Sequence, residues 1–310
     1  MEVKLEVRYT LFRKGNFYKG NLHTHSTESD GEKTPTELKA LYKSQGYHFL
    51  AITDHNKYGI YSEMNESNFL MIPGIEIDCR HSPTDLDHVV GIGHPMENHF
   101  AHGELVRGLL GSDAQTLVSY LRERGNEAIY AHPFWSYAPI ERVAALRGIL
   151  GMEIFNYSCE QEWMSGNSAY YYEHVWNQNR SGWCFSSDDA HGHVPDYCGG
   201  YITVKCEELT FDALFEAIRA GSFTASHARM GQEAPRVLDF IVEDGVAKLW
   251  CSESEKVCII GARNRYRATH ASNGEGVTYA EYELPDDVIS VRAICVDENR
   301  NVTWTQPIEL

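Results

Sequence analysis

Short apolar runs alternate with amphipathic stretches over most of the chain, which predicts alternating strands and helices. Thr34 supplies an N-cap, Pro35 the first helical position and Glu37 a capping box, and Gly46 ends the helix that follows. The apolar run 48–53 is typical of a strand that is buried on both faces. Further strands are predicted at 69–77, 88–92, 128–131, 151–155, 183–185 and 201–205, and further helices at 115–124, 139–146, 168–179 and 211–220. This alternation indicates an α/β fold with a mostly parallel sheet, either a barrel or a doubly wound sheet.

From about residue 236 the pattern changes to short strands without intervening helices. The predicted strands are 237–242, 247–251, 256–261, 277–284 and 290–296, and turn sequences join them. Such spacing is typical of a small antiparallel sandwich. We therefore divide the chain into a first domain at 1–235 and a β-sandwich domain at 236–310, and we expect an N-terminal strand within 1–16 to pack with the second domain.

Histidines and acidic residues stand at or near the ends of several predicted strands. His23 and His25 lie two residues apart on an extended segment, so their side chains point to the same side and can share one metal ion. Strand ends of a parallel α/β fold gather in one crevice, where ligands bind. The other candidates at such positions are Asp30, Asp54, His55, Glu76, His88, His132, Asp189 and His191.

Taken singly, several of these residues have a simpler interpretation. Glu76 lies inside an apolar run and needs a cation partner, which is a metal ion or an Arg or Lys side chain. His88 and His132, each by itself, fit a hydrogen-bonded core histidine better than a ligand. The joint pattern favours a metal site. Asp54 suits either a site role or the orientation of a ligand histidine, and Asp188 is interpreted as structural.

Composition narrows the function classes. A net charge of -17 argues against binding to nucleic acid polymers or anionic membranes. A hydrophobic content of 43% and a mean hydropathy of -0.40 fit a globular protein. The sequence has neither a membrane-length apolar stretch nor an N-terminal signal segment, so we expect a cytoplasmic location. The eight cysteines form no Cys-x-x-Cys pair, which favours free thiols in a reducing compartment.

Together, these motifs resemble the PHP family, which is named for its polymerase and histidinol phosphatase members. The resemblance covers roughly residues 17–230 and lies in His23-Thr24-His25, Asp30-Gly31, Thr53-Asp54-His55, Glu76, His88, Ala131-His132-Pro133 and the run 187–192. Within the family, the sequence is most similar to stand-alone bacterial metallohydrolases, including carbaryl-hydrolase-like proteins. The resemblance implies that residues 1–235 form a distorted, TIM-like (β/α)7 barrel, followed by the small antiparallel β-sandwich.

The resemblance also implies two or three divalent metal ions, which would be Zn, Mn or Fe. A first ion would be held by His23, His25, Glu76 and Asp189. Glu76 would bridge to a second ion, completed by His88 and His132, and a third ion would be held by Asp30, His55 and His191. Asp30 stands where some relatives have His, so the third ion would be bound more weakly or replaced by a harder cation.

Paired metal ions activate water for attack on a phosphoryl centre. The implied function is a metal-dependent phosphoesterase acting on a small phosphorylated metabolite, such as a nucleotide or sugar phosphate. Catalytic roles are expected for Asp54, Asp189 and His191, and phosphate contacts for Arg80, His227 and Arg229.

Two other functions stay open at this point. One is a metal-dependent hydrolase of a carboxylic ester, carbamate or amide, which the aromatic run 134–137 after His132 would suit. The other is a non-catalytic, metal-stabilised binding protein.

Overall fold

A computed structural model describes residues 8–82, 85–106, 113–178, 182–261 and 265–310. The helices in these ranges are α1 (Pro35–Ser44), α2 (Ala114–Glu123), α3 (Ile140–Ala145), α4 (Tyr157–Trp163), α5 (Ala169–Asn177) and α6 (Phe211–Arg219), with a 3-10 turn at Ser62–Met64. The strands are β1 (Arg8–Thr10), β2 (Asn16–Asn21), β3 (Phe49–Ala51), β4 (Leu70–Ile72), β5 (Gly74–Ser82), β6 (Asp85–Gly93), β7 (Asn126–Tyr130), β8 (Gly151–Asn156), β9 (Trp183–Ser187), β10 (Gly200–Cys206), β11 (Phe223–His227), β12 (Val237–Glu243), β13 (Val246–Ser254), β14 (Lys256–Gly261), β15 (Arg265–His270), β16 (Val277–Glu283), β17 (Ser290–Val296), β18 (Val302–Thr305) and β19 (Ile308–Glu309).

Local signals explain where the helices begin. The Thr34 hydroxyl accepts a hydrogen bond from the Glu37 N–H, and the Glu37 carboxylate accepts one from the Thr34 N–H, so α1 has the expected capping box. Helix α4 was not predicted. The Asn156 side chain caps it by accepting a hydrogen bond from the Cys159 N–H, and the helix follows β8 without a turn sequence that would have revealed it.

Three sheets contain these strands. A four-stranded sheet has the order β1-β12-β13-β16 and is antiparallel. A five-stranded sheet has the order β5-β6-β7-β8-β9. The ten-stranded sheet follows the order β15-β14-β17-β18-β11-β10-β2-β3-β4, and β19 pairs with β17 beside this path. The mixed α/β class predicted from the sequence is confirmed.

The sheets differ from the expected closed, mostly parallel barrel. Parallel pairing joins β2–β3–β4 and β7–β8–β9, whereas β5–β6, β6–β7 and β2–β10 are antiparallel. Only two residues separate β5 from β6, which leaves no length for the crossover helix that parallel pairing requires. In the part of the chain that the structure describes, the hydrogen-bonded sheets do not close into a barrel. Isolated bridges Thr24↔Ala190 and His55↔Glu76 connect the ten-stranded and five-stranded sheets at one end.

The C-terminal strands share an apolar core between two sheets, as in a sandwich. Phe240 and Leu249 of the four-stranded sheet belong to the same buried cluster as Ile259 and Val291 of the ten-stranded sheet. Strand β1 pairs with β12, and β18 pairs with both β17 and β11. A continuous sheet therefore crosses the proposed boundary at residues 235 and 236, and the division into two domains stays a prediction. None of the described helices has the length and apolar character needed to cross a membrane.

Candidate metal centre

The end of the molecule where the isolated bridges lie gathers nearly all the predicted metal ligands. His23 and His25 follow β2, His55 follows β3, His132 follows β7, and Asp189 and His191 follow β9. Glu76 is the third residue of β5 rather than a strand-end residue. His88 reaches it because β6 runs antiparallel to β5 and pairs His88 with Asp78, two residues beyond Glu76. The hairpin therefore contributes two candidate ligands to the same place.

The innermost group consists of His23, His25, Glu76 and Asp189, whose ligand atoms all lie within 4.8 Å of one another. Nε2 of His23 lies 3.0 Å from Asp189 Oδ1 and 3.2 Å from Glu76 Oε1. Nε2 of His25 lies 2.9 Å from Asp189 Oδ1 and 3.3 Å from Glu76 Oε2. All four residues are buried. These are the same four residues that the resemblance assigns to a first ion.

Glu76 also lies at the centre of the second group. Its Oε1 is 2.8 Å from His88 Nδ1, and its Oε2 is 2.9 Å from His55 Nδ1. His132 Nε2 is farther away, 3.4 Å from Glu76 Oε1 and 3.8 Å from Asp189 Oδ2. The ligand atoms that lie within 4.8 Å of one another are those of His55, Glu76 and His88. The structure thus groups His55, and not the expected His132, with Glu76 and His88.

The third group lies nearer the surface and consists of His25, Asp30, His55 and His191. The Asp30 carboxylate is 3.6 Å from His55 Nε2, 3.6 Å from His191 Nε2 and 3.8 Å from His25 Nδ1. The Asp30 side chain is 52% exposed. His25 therefore stands between the inner and outer groups, a connection that the sequence did not reveal.

The charges in this region are arranged unusually. Glu76, Asp189 and Glu153 are buried, and among the described residues their only ion-pair partners are histidines. Burial by itself raises the pKa of Glu76, but the charges of His88, His23 and His55 outweigh it and hold that pKa well below its ordinary value. Burial likewise lowers the pKa of His25, but Asp189 and Glu76 outweigh it and raise the pKa to about 9. Protons and a metal ion would compete for the same nitrogen atoms.

Two observations show that these residues fit divalent metal ions. Among the described residues, the buried Glu76 Oε2 accepts no hydrogen bond although His55 Nδ1 lies 2.9 Å away, so a buried carboxylate oxygen is left for a cation. The Nε2 atoms of His23 and His25 face each other at 3.3 Å, which suits two nitrogens that converge on one cation. Imidazole and carboxylate donors are those that Zn, Mn and Fe accept. The described residues thus contain three neighbouring groups able to hold a metal.

Asp189 and His132 have backbones in the left-handed region, with φ of 54° and 27°. Non-glycine residues rarely adopt such angles, and they cluster at sites where the surrounding structure imposes them. The Asp189 N–H donates to the His23 carbonyl at 2.8 Å, and the His132 N–H donates to Glu153 Oε2 at 2.8 Å. These hydrogen bonds hold the two strained residues against the cluster.

A cavity of about 240 Å³ opens onto the three groups. Beyond the candidate ligands, it is lined by Trp135, Ser158, Cys159, Glu162 and His193. The Trp135 indole N–H donates to Glu162 Oε2 at 3.0 Å, and its ring packs edge-on against His132 at 5.0 Å. No Lys or Arg is among the described residues that line the cavity. The cavity therefore has one wall of candidate metal ligands and another that is aromatic and acidic.

Similarity to a solved structure, but not to known sequences, supports the architecture. No family model matches the sequence, and no curated protein is significantly similar to it. A two-domain protein from Bacteroides vulgatus, described as containing a predicted PHP-like metal-dependent phosphoesterase, matches the structure with a TM-score of 0.53 at 13% identity, over 96% of this chain and 97% of that one. The chain has a PHP-like fold. The resemblance drawn from the motifs is confirmed at this level.

Two further solved structures are less similar. A proposed metal-dependent phosphoesterase from Bifidobacterium adolescentis has a TM-score of 0.43 at 15% identity, over 67% of this chain and 96% of that one. An amidohydrolase from Chromobacterium violaceum, with bound sulfate and no metal, has a TM-score of 0.37 at 16% identity, over 57% and 89%.

Within the PHP-like fold, Glu153 is a functional candidate that the sequence analysis missed. Its Oε1 lies 2.8 Å from His23 Nδ1, and its Oε2 accepts hydrogen bonds from the His132 N–H and the Asn156 amide. It thereby orients one candidate ligand and holds the backbone of another. A signal was present in the sequence, since Glu153 interrupts an apolar strand in the same way as Glu76 does.

Asp54 lies beside the site, and its side chain contacts the turn that follows His25. Its carboxylate accepts hydrogen bonds from the Ser26 N–H at 2.7 Å and from the Ser29 hydroxyl at 2.8 Å. It holds the turn after His25, and Ser29 Oγ is 3.5 Å from His25 Nδ1. This arrangement corresponds to the second role considered for Asp54, the orientation of a ligand histidine. Asp188 accepts hydrogen bonds from Tyr42 and from the N–H groups of residues 198–200, which fits its structural interpretation.

The three residues expected to contact phosphate do not line this cavity. Arg80 lies exposed on β5, and Arg229 is exposed beyond β11, where its N–H donates to the Asn301 side chain. His227 stacks on Phe155 with ring centroids 4.0 Å apart, and burial lowers its pKa to about 4. His227 is therefore a neutral, largely buried residue near neutral pH. The spacing of residues along the chain could not reveal that His227 packs on Phe155, because this contact depends on how β11 is placed against β8.

Proposed function

We propose that this chain is a member of the PHP family and a metal-dependent hydrolase, with a phosphoric ester of a small metabolite as substrate. One observation carries the proposal. The buried carboxylates of Glu76 and Asp189 are surrounded by imidazoles, and among the described residues they have no Lys or Arg partner. Without a metal, that negative charge is balanced only by protons on the imidazoles, and divalent cations would take the place of those protons.

The ligand assignment follows the three groups. His23, His25, Glu76 and Asp189 would hold one ion, Glu76 with His55 and His88 a second, and Asp30 with His191 and the shared histidines a third. His132 stands beside the first two groups and would complete one of them. When bound, such ions supply Lewis acidity and an activated water for hydrolysis.

The protein side chains then have distinct roles. The Nδ1 of His191 lies 2.8 Å from the Asp189 carbonyl, so Nδ1 carries a proton and Nε2 is left to bind a metal or exchange a proton with the leaving group. Asp189 holds the inner ligands together, and Asp54 positions the turn that carries His25. Glu153 keeps His23 in the orientation that presents Nε2 to the cluster.

A second function is favoured by a separate observation. A phosphate group needs several positive or N–H groups around its oxygens, but the described residues lining the cavity include no Lys or Arg. Trp135 instead provides an aromatic surface next to His132. A metal-dependent hydrolase of a carboxylic ester, carbamate or amide would use the same ligands and need fewer cations. For a phosphoesterase, the metal ions and the histidines at the cavity would bear the whole phosphate charge.

A direct test combines metal analysis with a substrate panel. The purified protein is assayed on a phosphomonoester, a phosphodiester and a carboxylic ester, before and after chelation and again after addition of Zn, Mn or Fe. We expect phosphoester hydrolysis that is lost on chelation and restored by metal, and that is lost in His25→Ala.

Arg80→Ala is the control, because Arg80 is exposed on β5, the strand that carries Glu76, and does not line the cavity. It should keep full activity. Activity that survives chelation, or a His25→Ala variant that is folded and fully active, would contradict the proposed mechanism. Preference for the carboxylic ester would support the second function, and bound metal without any hydrolysis would indicate a binding protein.

A further inference from the structure

The hairpin formed by β5 and β6 carries a second cluster of potential metal ligands, away from the three groups of the metal centre. Cys79 and His81 are two residues apart on β5, so their side chains share one face of the strand. Asp87 lies on β6 directly opposite Cys79 in the antiparallel register. The hairpin therefore brings a thiol, an imidazole and a carboxylate together without help from any other element.

The ligand atoms of this cluster are close to one another. His81 Nε2 lies 2.7 Å from Asp87 Oδ2 and 3.8 Å from Cys79 Sγ, and Cys79 Sγ is 4.0 Å from Asp87 Oδ2. Three donors bound tetrahedrally to zinc stand about 3.3 to 3.6 Å apart, given Zn–N and Zn–O lengths near 2.0 Å and Zn–S near 2.3 Å. Small side-chain rotations would therefore bring all three within bonding distance of one ion.

One oxygen of the Asp87 carboxylate is available to a metal ion. Tyr130 Oη donates to Asp87 Oδ1, and Arg142 Nε lies 3.2 Å from the same oxygen. Oδ2 faces only His81 and Cys79 among these residues. Carboxylate ligands of metals are commonly held in this way through their second oxygen. Cys79 and Asp87 are fully buried, whereas the His81 side chain is 25% exposed, which gives an ion a route from solvent.

We propose that Cys79, His81 and Asp87 form a second metal site, selective for a soft or borderline cation such as zinc, with water as the fourth ligand. The thiol is what separates this site from the metal centre, because thiolates favour zinc over the hard cations that carboxylates and imidazoles also accept. Among the described residues, the three groups of the metal centre contain no cysteine. The proposal concerns metal binding alone and does not depend on the reaction that the chain performs.

The test uses Co²⁺ as a spectroscopic probe of thiolate ligation. The metal-free protein is titrated with Co²⁺, and thiolate-to-cobalt charge transfer is measured in the near ultraviolet, together with total bound metal. We expect a thiolate band in the wild type that Zn²⁺ abolishes by displacement. The band should disappear in Cys79→Ala and persist in His25→Ala, which disables only the metal centre.

Cys159→Ala is the matched control, because Cys159 is also a buried cysteine but lines the cavity of the metal centre. It should keep the band. Since His81 is partly exposed, His81→Ala should fold normally and bind Co²⁺ at this site about tenfold more weakly or worse. Absence of a thiolate band in the folded wild type, or a band that is lost in Cys159→Ala and kept in Cys79→Ala, would overturn the proposal.

Discussion

The two faces of the β5–β6 hairpin carry buried carboxylates with different charged partners. On one face, Glu76 has only histidines as charged partners among the described residues, with His88 at 2.8 Å. On the other face, Asp87 accepts a hydrogen bond from Tyr130 and lies 3.2 Å from the guanidinium of Arg142, in addition to His81. The same hairpin therefore presents one carboxylate without a permanent cation and one with it.

The difference shows what determines the role of a buried carboxylate. An arginine stays charged at every ordinary pH, so Asp87 is compensated whether or not a metal is present. Imidazoles compensate a carboxylate only by taking up protons, and those protons leave when a metal binds. The Glu76 face should therefore exchange its protons for metal ions, and the Asp87 face should gain only additional binding from a metal ion.

The largest effect is expected for Glu76→Gln, which keeps the shape of the side chain and removes the charge shared by two groups. Hydrolytic kcat/KM should fall by about 10³-fold or more, because the ions that stabilise the transition state lose a shared ligand. Steady-state kinetics and metal analysis measure this. Glu66→Gln is the control, since Glu66 forms surface ion pairs with Lys39 and Lys43. A folded Glu76→Gln variant with normal metal content and activity would remove the contrast between the two faces.

A smaller effect is expected for Glu153→Gln, because Glu153 acts through His23 and the backbone of His132. Loss of such an orienting carboxylate typically lowers metal affinity or activity 10- to 100-fold. Competition with a chelator measures the affinity, and kinetics at saturating metal separate it from the rate. If excess metal restores full kcat, Glu153 contributes only to metal affinity. If kcat stays low, Glu153 also determines the geometry of the metal ligands. Unchanged affinity and activity would contradict the orienting role.

Arg142→Met tests the Asp87 face of the hairpin. The substitution leaves Asp85 and Asp87 without their cation, and we expect the free energy of unfolding of the metal-free protein to fall by about 2 kcal/mol. Chemical denaturation followed by circular dichroism measures this. Added Zn²⁺ should recover part of the loss if a metal at Cys79, His81 and Asp87 replaces the missing charge. A variant as stable as the wild type would show that Arg142 does not balance this cluster.

The smallest effect is expected for Asp30→Asn. Asp30 is half exposed, and its carboxylate lies 3.6 to 3.8 Å from its three histidine neighbours, so it should contribute only to the outermost ion. The variant should lose at most one metal ion per chain and retain the inner ions, with a decrease in kcat/KM of roughly fivefold. Metal analysis after gel filtration distinguishes this outcome from a complete loss of metal, which would place Asp30 at the inner centre.

Part of the candidate site could be read directly from the sequence. The strand-end pattern identified His23, His25, Asp30, His55, Glu76, His88, His132, Asp189 and His191, and the structure places all nine around the same cavity or directly beside it. The capping box of α1 was also predicted, because Thr34 and Glu37 interact within one turn. Both predictions depend on local information, because residue type and spacing along the chain identify the candidate ligands and the helix cap.

Other features could not be predicted because they depend on contacts between distant segments. His25 and Asp189 are 164 residues apart in the chain and 2.9 Å apart in the site. Strand β6 pairs antiparallel with β5, whereas a mostly parallel sheet was expected. This pairing brings His88 next to Glu76 and Cys79 next to Asp87. The direction of β11 turns His227 toward Phe155 and away from the cavity.

The sequence by itself thus determined the α/β class and the chemical types gathered at the metal centre. Only the tertiary structure determined that Asp87 has an arginine partner and that Glu76, among the described residues, has only histidine partners. The physical reason is that hydrophobic periodicity specifies which face of a strand is buried, whereas strand direction and register specify which charges meet there.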